Sequence, residues 1–419
     1  MMPIQNIRST ALIYAAALFP ALCLSFGKGY NLAAIVLLAA ALPCLVGLPK
    51  RLLSHDAKLV ITAFGLYFLS YVISMLINKG NSSFIDQPSR AILALPIFLA
   101  LLRYPPPFKL LICGFLAGSF IAGGVAFYYL YAYPETRAFD GGVINRWLNG
   151  YMQIQSGNMA ATLSMLSLSV SIYFMRKSRF TFALLALIAT GMGLSASFLS
   201  GSRGGWIFLP LAIIYLGYVN RDLLTKKITC LTLVGILITL TALWSTSTVQ
   251  QRVTEAVNNI QTYQQNKDKF TSLGIRLELW KSAIYSFTES PMLGLGEEGR
   301  LQSRIQHGED GLIDLKISKL TWHSHNQFLE QLSVMGMMGL FTLLGFFAVP
   351  LVIFERIRHT SKETTNALCQ CGSVSVIMMI GYCLTQAYFK HTSGIIFYSV
   401  MTAILLATCL ASTSEKELQ

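Results

Sequence analysis

Apolar runs long enough to span a bilayer recur along the whole chain, and they limit its fold more than any other feature. Of the 419 residues, 54% are hydrophobic and only 12% are charged, about half the charged fraction of a soluble domain. The sequence therefore predicts an all-α polytopic integral membrane protein with about twelve transmembrane helices. The predicted spans are residues 10–26, 31–48, 59–77, 90–102, 110–132, 159–175, 180–200, 205–219, 228–246, 326–354, 368–389 and 393–411.

The basic residues predict an orientation for these spans. If the N-terminus is cytoplasmic, sixteen Lys and Arg residues fall in cytoplasmic segments and seven in the short outer loops. This asymmetry follows the positive-inside rule, and it explains the net charge of +13 without a nucleic-acid partner. No small-residue cleavage site follows the first apolar run, so we interpret that run as a retained span and not as a signal peptide.

One connection is much longer than the others. Residues 247–322 form a polar loop on the predicted outer side, with nine Lys or Arg and nine Asp or Glu residues. The apolar spacing after Ser272 predicts an amphipathic helix that Ser272 caps and that Ser290-Pro291 ends. The chain therefore divides into spans 1–9 (residues 1–246), this outer loop (247–322), and spans 10–12 with a cytoplasmic tail (323–419).

Motifs that hold nucleotides or metal ions do not occur in the sequence. There is no Walker loop, zinc helix motif or acidic metal-binding cluster. Eight cysteines are scattered, and Cys369-x-Cys371 has no matching second pair. They are interpreted as small apolar residues and not as disulfide partners or zinc ligands. The energy for any reaction is therefore expected to come from the substrate.

The stretch TWHSHNQFLEQLSVMGMMG, residues 321–339, places a histidine at the start of an apolar run. Ser324 followed by Gln327 fits a capping box, which predicts that His325 lies in the first turn of the tenth span. The helix dipole there favours the neutral imidazole, which can accept a proton. Gly336 and Gly339 are expected on the same face, where small residues let another helix approach closely. The residues alone leave two interpretations open: a general base, or an interfacial histidine that only caps the helix.

Several cations are predicted at outer span ends. Arg203 lies in the glycine-rich turn LSGSRGGW, and Arg276 shares a helix face with Trp280. Arg90 and Lys390 each lie at a span end. Taken singly, each cation could be a topological anchor or a solvated residue as readily as a ligand for a substrate. Taken together, they suit a lipid substrate with an anionic phosphate at the headgroup level, because a guanidinium binds phosphate oxygens in a bidentate manner.

At these residues the chain resembles the O-antigen ligase family, within a superfamily that also holds O-antigen polymerases and bacterial protein O-oligosaccharyltransferases. The family pattern matches His325-Asn326, then nine residues, Gly336, two residues and Gly339. The SRG turn at Arg203, the loop segment GIRLELW and the segment DQPSRAILALPIFLALLRYPP add to the match. The resemblance covers residues 85–345 well and the two ends by topology.

The resemblance implies a fold, a reaction and site residues. It implies both termini in the cytoplasm of a bacterium and an active site that faces the periplasm across the inner membrane. It implies transfer of O-antigen from undecaprenyl diphosphate to lipid A–core, with inversion and without metal or ATP. His325 would then be the general base, and Arg203 and Arg276 would bind the diphosphate. Further substrate contacts are expected from Arg90, His323, Trp280 and Lys390.

Three alternatives to a ligase remain. A polymerase would use the same site with a second lipid-linked glycan as acceptor, and a protein O-oligosaccharyltransferase would glycosylate Ser or Thr. A lipid-linked oligosaccharide transporter is expected to show internal repeats and charged residues near the bilayer midplane, whereas the charges here gather at span ends. The expected partners are the lipid-linked donor, the lipid A–core acceptor and membrane lipids, and the expected state is a monomer.

Overall fold

The architecture is taken from a computed structural model, which describes residues 4–49, 52–143, 147–223 and 269–417 and five single residues between 254 and 265. The described part is helical throughout and contains no strand. Its α-helices in chain order are α1 Ile4–Leu22, α2 Gly29–Ala41, α3 His55–Ile77, α4 Ser89–Arg103, α5 Phe108–Ala132, α6 Gln153–Arg176, α7 Phe180–Leu199, α8 Leu209–Val219, α9 Ser272–Glu289, α10 Gly296–Glu309, α11 Leu315–Ser318, α12 Gln327–Thr360, α13 Glu363–Thr385 and α14 Thr392–Glu417.

Eight of the described helices are long and apolar enough to cross a membrane, and three shorter apolar helices accompany them. The short helices, Ile7–Leu22, Gly29–Cys44 and Arg203–Val219, correspond to the first, second and eighth predicted spans. The ninth predicted span, 228–246, lies outside the described residues. The chain is thus consistent with a polytopic membrane protein, and the count of twelve spans stays a prediction.

Helices α13 and α14 form the centre of the bundle. In their apolar windows 83% and 94% of the residues are buried, compared with 39% for α3 and α7. Helix α14 packs against α4 and α13, and α12 packs against α3 and α13. Residues facing lipid in the outer helices can stay apolar without a partner, whereas the central helices must pack on every side.

Two ion pairs connect span ends that are predicted to lie on the same side of the membrane. Arg356 forms an ion pair with Asp56, and both belong to segments predicted as cytoplasmic. Lys390 forms an ion pair with Glu297, and both belong to segments predicted as outer. We call this second end the cleft end, because the histidines described below lie there.

The amphipathic helix of the long loop forms as predicted, with one shift at its start. It ends at Glu289 before Ser290-Pro291, and Leu279 and Ala283 on its apolar face are buried. Its cap is Thr271 and not Ser272, since the Thr271 hydroxyl accepts the Gly274 N–H at 3.0 Å. The helix packs against α10 and α12, which places the loop against the outer end of the tenth predicted span.

Candidate active site

Two histidines of the loop before α12 lie together with one from a distant segment. The ring centroids of His323 and His325 are 4.4 Å apart, and those of His323 and His391 are 5.6 Å apart. The first two rings line an open cleft of about 330 Å³ together with Thr321 and Trp322. The structure therefore brings the predicted base into a solvent-accessible cleft at the cleft end of the bundle.

His325 does not lie in the first turn of a helix, so that prediction is wrong. Its φ of +49° is left-handed, and α12 begins at Gln327 with Asn326 as its cap. The Asn326 side-chain oxygen accepts the N–H groups of Phe328 at 3.0 Å and Leu329 at 3.1 Å. An Asn can cap a helix as well as a Ser can, and here the Ser324 hydroxyl is engaged elsewhere. A left-handed conformation costs a non-glycine residue about 1 kcal/mol or more, so other contacts must hold His325 in place.

Gly336 and Gly339 consequently do not lie beneath His325 on a helix face. Gly336 has φ 60° and ψ −152°, and it interrupts α12. The loop after α9 enters the interruption: the N–H of Met337 donates to the carbonyl of Pro291 at 2.8 Å. A Cβ on Gly336 would lie 2.5 Å from the carbonyl carbon of Met292. The small residue therefore admits a loop of the outer segment and not a neighbouring helix.

A buried arginine and a tryptophan hold the loop of residues 318–326. Arg304 on α10 donates to the carbonyls of Ser318 at 3.2 Å, Trp322 at 2.7 Å and Leu320. Trp280 on α9 donates from its indole N–H to the carbonyl of Ser324 at 2.8 Å. Burial lowers the pKa of Arg304 to about 10, so the guanidinium stays charged at neutral pH. These loop carbonyls have no helical N–H partners, so side chains of the long outer loop supply their hydrogen-bond donors.

Glu330 is a second anchor of the same loop, and it is only 2% exposed. One carboxylate oxygen accepts both the N–H and the hydroxyl of Ser324 at 2.8 Å. The other lies 3.6 Å from a guanidinium nitrogen of Arg300 and 3.9 Å from the ammonium of Lys390. Lys390, predicted to bind substrate, is therefore held between Glu330 and Glu297.

The hydrogen bonds of His325 define its tautomer. Its Nδ1 lies 2.5 Å from Oε1 of Gln386. A carboxamide oxygen only accepts, so Nδ1 carries the hydrogen and Nε2 keeps a lone pair. No described residue bonds to that Nε2. The geometry leaves a proton-accepting nitrogen at the cleft.

Burial keeps the three imidazoles neutral. It lowers the pKa of His323 to about 3 and that of His391 to about 4. It also lowers the pKa of His325, and the charge of nearby Arg276 adds to this effect, while the hydrogen bond that Nδ1 donates to Gln386 opposes it. A neutral imidazole is the form that accepts a proton at physiological pH.

Arg276 lies on α9, one turn before Trp280. It is half-buried, and burial lowers its pKa. It forms no hydrogen bond or ion pair within the part of the chain that the structure describes. A partly desolvated guanidinium without a counter-ion near the cleft is suited to an anionic ligand.

The structure does not bring Arg203 or Arg90 into the cleft. Arg203 is exposed at the start of the 3₁₀ segment Arg203–Phe208. The turn nevertheless packs against the end of α13, because a Cβ on Gly204 would lie 2.5 Å from the hydroxyl of Thr385, the neighbour of Gln386. Arg90 is paired with Asp86 at 3.0 Å and borders a mostly apolar groove along α2, α4 and α14.

Sequence reasoning assigned no role to Gln386, Arg304, Glu330 or His391. The available signal for Gln386 was a polar residue at the end of an apolar run. No local pattern marks Arg304, because its partners are carbonyls that any residue supplies.

These observations define a class: a polytopic helical membrane protein with a neutral histidine at a cleft on one end and, near it, an arginine that the described part of the chain leaves without a counter-ion. A family described as O-antigen ligase matches residues 188–344. An uncharacterised protein of Haemophilus influenzae is 30% identical over 381 residues, which cover 88% of this chain and 91% of that protein. The O-antigen ligase of Escherichia coli strain K12 is 26% identical over 164 residues, 38% of each chain.

The chain belongs to the O-antigen ligase superfamily. It is accordingly an enzyme of the membrane glycosyl-transfer type. The family match ends at residue 344 and includes Arg203, Arg276 and His325, whereas Gln386 and His391 lie beyond it.

Proposed function

We propose that this protein transfers O-antigen polysaccharide from undecaprenyl diphosphate to lipid A–core at the periplasmic face of the inner membrane. One observation carries the proposal: a neutral His325, whose Nε2 no described residue binds, lies at an open cleft near the half-buried Arg276. A glycosyl transfer to a hydroxyl needs a proton acceptor and a cation for the leaving phosphate. Those two groups are present together here.

The reaction balances with these residues. The acceptor hydroxyl oxygen attacks the anomeric carbon of the donor glycan, and Nε2 of His325 takes the hydroxyl proton. The bond between the anomeric carbon and the phosphate oxygen breaks, and undecaprenyl diphosphate leaves with the electron pair. Attack from the side opposite the leaving group inverts the anomeric centre.

Arg276 is proposed to bind the diphosphate and to stabilise the negative charge that develops on it. Its contribution is electrostatic, and removal of one such donor typically costs a factor of about 100 to 1,000 in rate. Arg203, at the same end of the bundle, is proposed as a second diphosphate ligand, and His323 as a contact for a sugar of donor or acceptor. Trp280 acts on the cleft through the Ser324 carbonyl that it binds.

The test is a lipopolysaccharide gel from a host that lacks this gene, complemented with wild type, His325→Ala or the control His55→Ala. His55 is exposed at the start of α3, so its removal leaves the cleft intact. We expect wild type and His55→Ala to restore full-length lipopolysaccharide and His325→Ala to leave bare lipid A–core. Glycan should then accumulate on undecaprenyl diphosphate.

Two results would contradict the proposal. Full activity of His325→Ala would exclude His325 as the general base. A core with a single repeat unit in the deletion host would show that a ligase acts elsewhere and that this chain is a polymerase.

A further inference from the structure

Gln386 lies where α13 ends, and its amide lies between two imidazoles. Its Oε1 is 2.5 Å from Nδ1 of His325, and its Nε2 is 3.4 Å from Nε2 of His391. The backbone is fixed on both sides: the N–H donates to Tyr382 at 2.9 Å, and the carbonyl accepts the N–H of Tyr388 at 2.8 Å. The side chain is only 6% exposed, so few other positions are open to it.

A carboxamide has one accepting end and one donating end, so its direction selects the tautomers of both rings. In the observed direction, His325 carries hydrogen on Nδ1, and His391 accepts through Nε2. If the amide turned over, its NH₂ group would face His325. Nδ1 would then have to accept, the hydrogen would move to Nε2, and the nitrogen at the cleft could no longer take a proton.

We propose that Gln386 is a positioning residue that holds His325 in the tautomer whose Nε2 keeps its lone pair, and that contact with His391 restrains the other end of the Gln386 amide. The inference rests on the proposed function, because it assigns His325 the role of base. It goes further by naming two residues outside the family match that determine whether this base is competent. Neither residue needs to touch substrate.

The charged and titratable groups around His325 come from several elements. His323 lies on its own loop, Arg276 on α9 and Glu330 on α12, while Lys390 and His391 follow α13. Buried carboxylates commonly orient a catalytic histidine through Nδ1. A neutral amide performs the same orientation without adding a charge, so it leaves the imidazole less basic than a carboxylate would.

Two substitutions distinguish a role of Gln386 in orienting His325 from a role in packing. Gln386→Met has a similar length but cannot accept the Nδ1 hydrogen. Gln386→Glu keeps the acceptor and adds a negative charge. We expect Gln386→Met to lower the rate of transfer by about 10- to 100-fold, the usual effect of losing such a supporting contact, with little change in KM for the donor. Gln386→Glu should retain activity, and the acid limb of its pH–rate profile should move to higher pH.

A second measurement gives the titration midpoint of His325 and does not depend on catalysis. Diethyl pyrocarbonate modifies neutral imidazoles, so its reaction with His325 against pH, followed by peptide mass spectrometry, gives the titration midpoint. Exposed His55 on the same chain is the internal reference. Since the hydrogen bond to Gln386 favours the imidazolium, we expect the midpoint to fall in Gln386→Met and rise in Gln386→Glu. His391→Ala should lower the rate of transfer because the Gln386 amide loses the contact that restrains its far end.

Equal His325 midpoints in wild type and both Gln386 variants would overturn the inference, and so would a wild-type transfer rate in Gln386→Met. Loss of transfer in Gln386→Glu with an unchanged His325 midpoint would also count against it, as that is what a purely structural role predicts. If wild type itself transferred no glycan, the proposed function would fail, and the modification experiment would still decide whether Gln386 controls His325.

Discussion

The carboxylate of Glu330 accepts hydrogen bonds from both the N–H and the hydroxyl of Ser324, each at 2.8 Å. Ser324 precedes His325, which has a left-handed backbone. The first turn of α12 thus anchors the loop that presents the proposed base. Arg300 from α10 lies 3.6 Å from the same carboxylate, so the long outer loop is joined to the bundle at this point.

Removal of this anchor should destabilise the protein. Glu330→Ala leaves the Ser324 N–H unpaired and Arg300 buried without a counter-ion, which typically costs about 3 kcal/mol or more in the free energy of unfolding. Thermal unfolding in detergent measures the effect. The matched control is Glu297→Ala, because Glu297 is 45% exposed and pairs with Lys390, and its loss should cost less than about 1 kcal/mol. Equal losses in the two variants would argue against Glu330 as an anchor.

The two arginines near the cleft should behave in opposite ways. Arg276→Ala is expected to lower the rate of transfer by about 100- to 1,000-fold and to leave thermal unfolding unchanged, because the described part of the chain offers this guanidinium no partner. Arg304→Ala is expected to lower the unfolding temperature, since three backbone carbonyls lose their donor. Arg276→Lys should recover only part of the activity, because an ammonium keeps the charge but lacks the planar fork. Transfer assays and unfolding curves on the same preparations decide this, and an unstable Arg276→Ala would contradict the assignment.

The rate of transfer should fall in acid with a midpoint below 6.5, the ordinary pKa of histidine. Burial lowers the pKa of His325, so the base stays neutral until the pH drops below that value. Activity is then lost as the pH falls through the lowered pKa. A pH–rate profile for wild type measures the midpoint. An acid limb centred above 6.5 would show that another group controls the rate.

Stability should also decline in acid. The pKa values of His323 and His391 are lowered to about 3 and about 4 in the folded protein, whereas the unfolded chain titrates near 6.5. Between those values the unfolded state binds more protons, so the free energy of unfolding decreases as the pH falls below 6.5. His391→Gln removes one of these contributions, and its unfolding temperature should therefore depend less steeply on pH. An equal slope in wild type and His391→Gln would refute this account.

The interruption of α12 should be sensitive to a single methyl group. Gly336→Ala places a Cβ 2.5 Å from the Met292 backbone at a φ of +60°, so the outer loop must move away from the helix. We expect lower stability by about 1–3 kcal/mol and reduced transfer. Gly345→Ala in the same helix is the control, since its Cβ would meet no atom within 4 Å. Thermal unfolding of the two variants should differ clearly, and similar curves would disprove the role of Gly336.

The sequence by itself determined the helical membrane architecture, the superfamily, the amphipathic helix that ends before Ser290 and the location of the candidate base. These features depend on local properties. Apolar runs, turn residues and a short motif are each contained in a few neighbouring positions. Bilayer thickness and the need to pair every backbone polar group allow few structures for such runs.

Only the tertiary structure decided how His325 is held. Gln386 lies 61 positions from His325 along the chain, and Arg304 binds carbonyls whose side chains are irrelevant to the contact. The cap is Asn326 and not Ser324, whose hydroxyl instead donates to the Glu330 carboxylate. A hydrogen bond to a charged group is stronger than one between neutral groups, and local spacing does not reveal that this carboxylate lies within reach of Ser324. Such choices depend on which groups the fold brings together, and they are made where α9, α10, α12 and the segment after α13 meet.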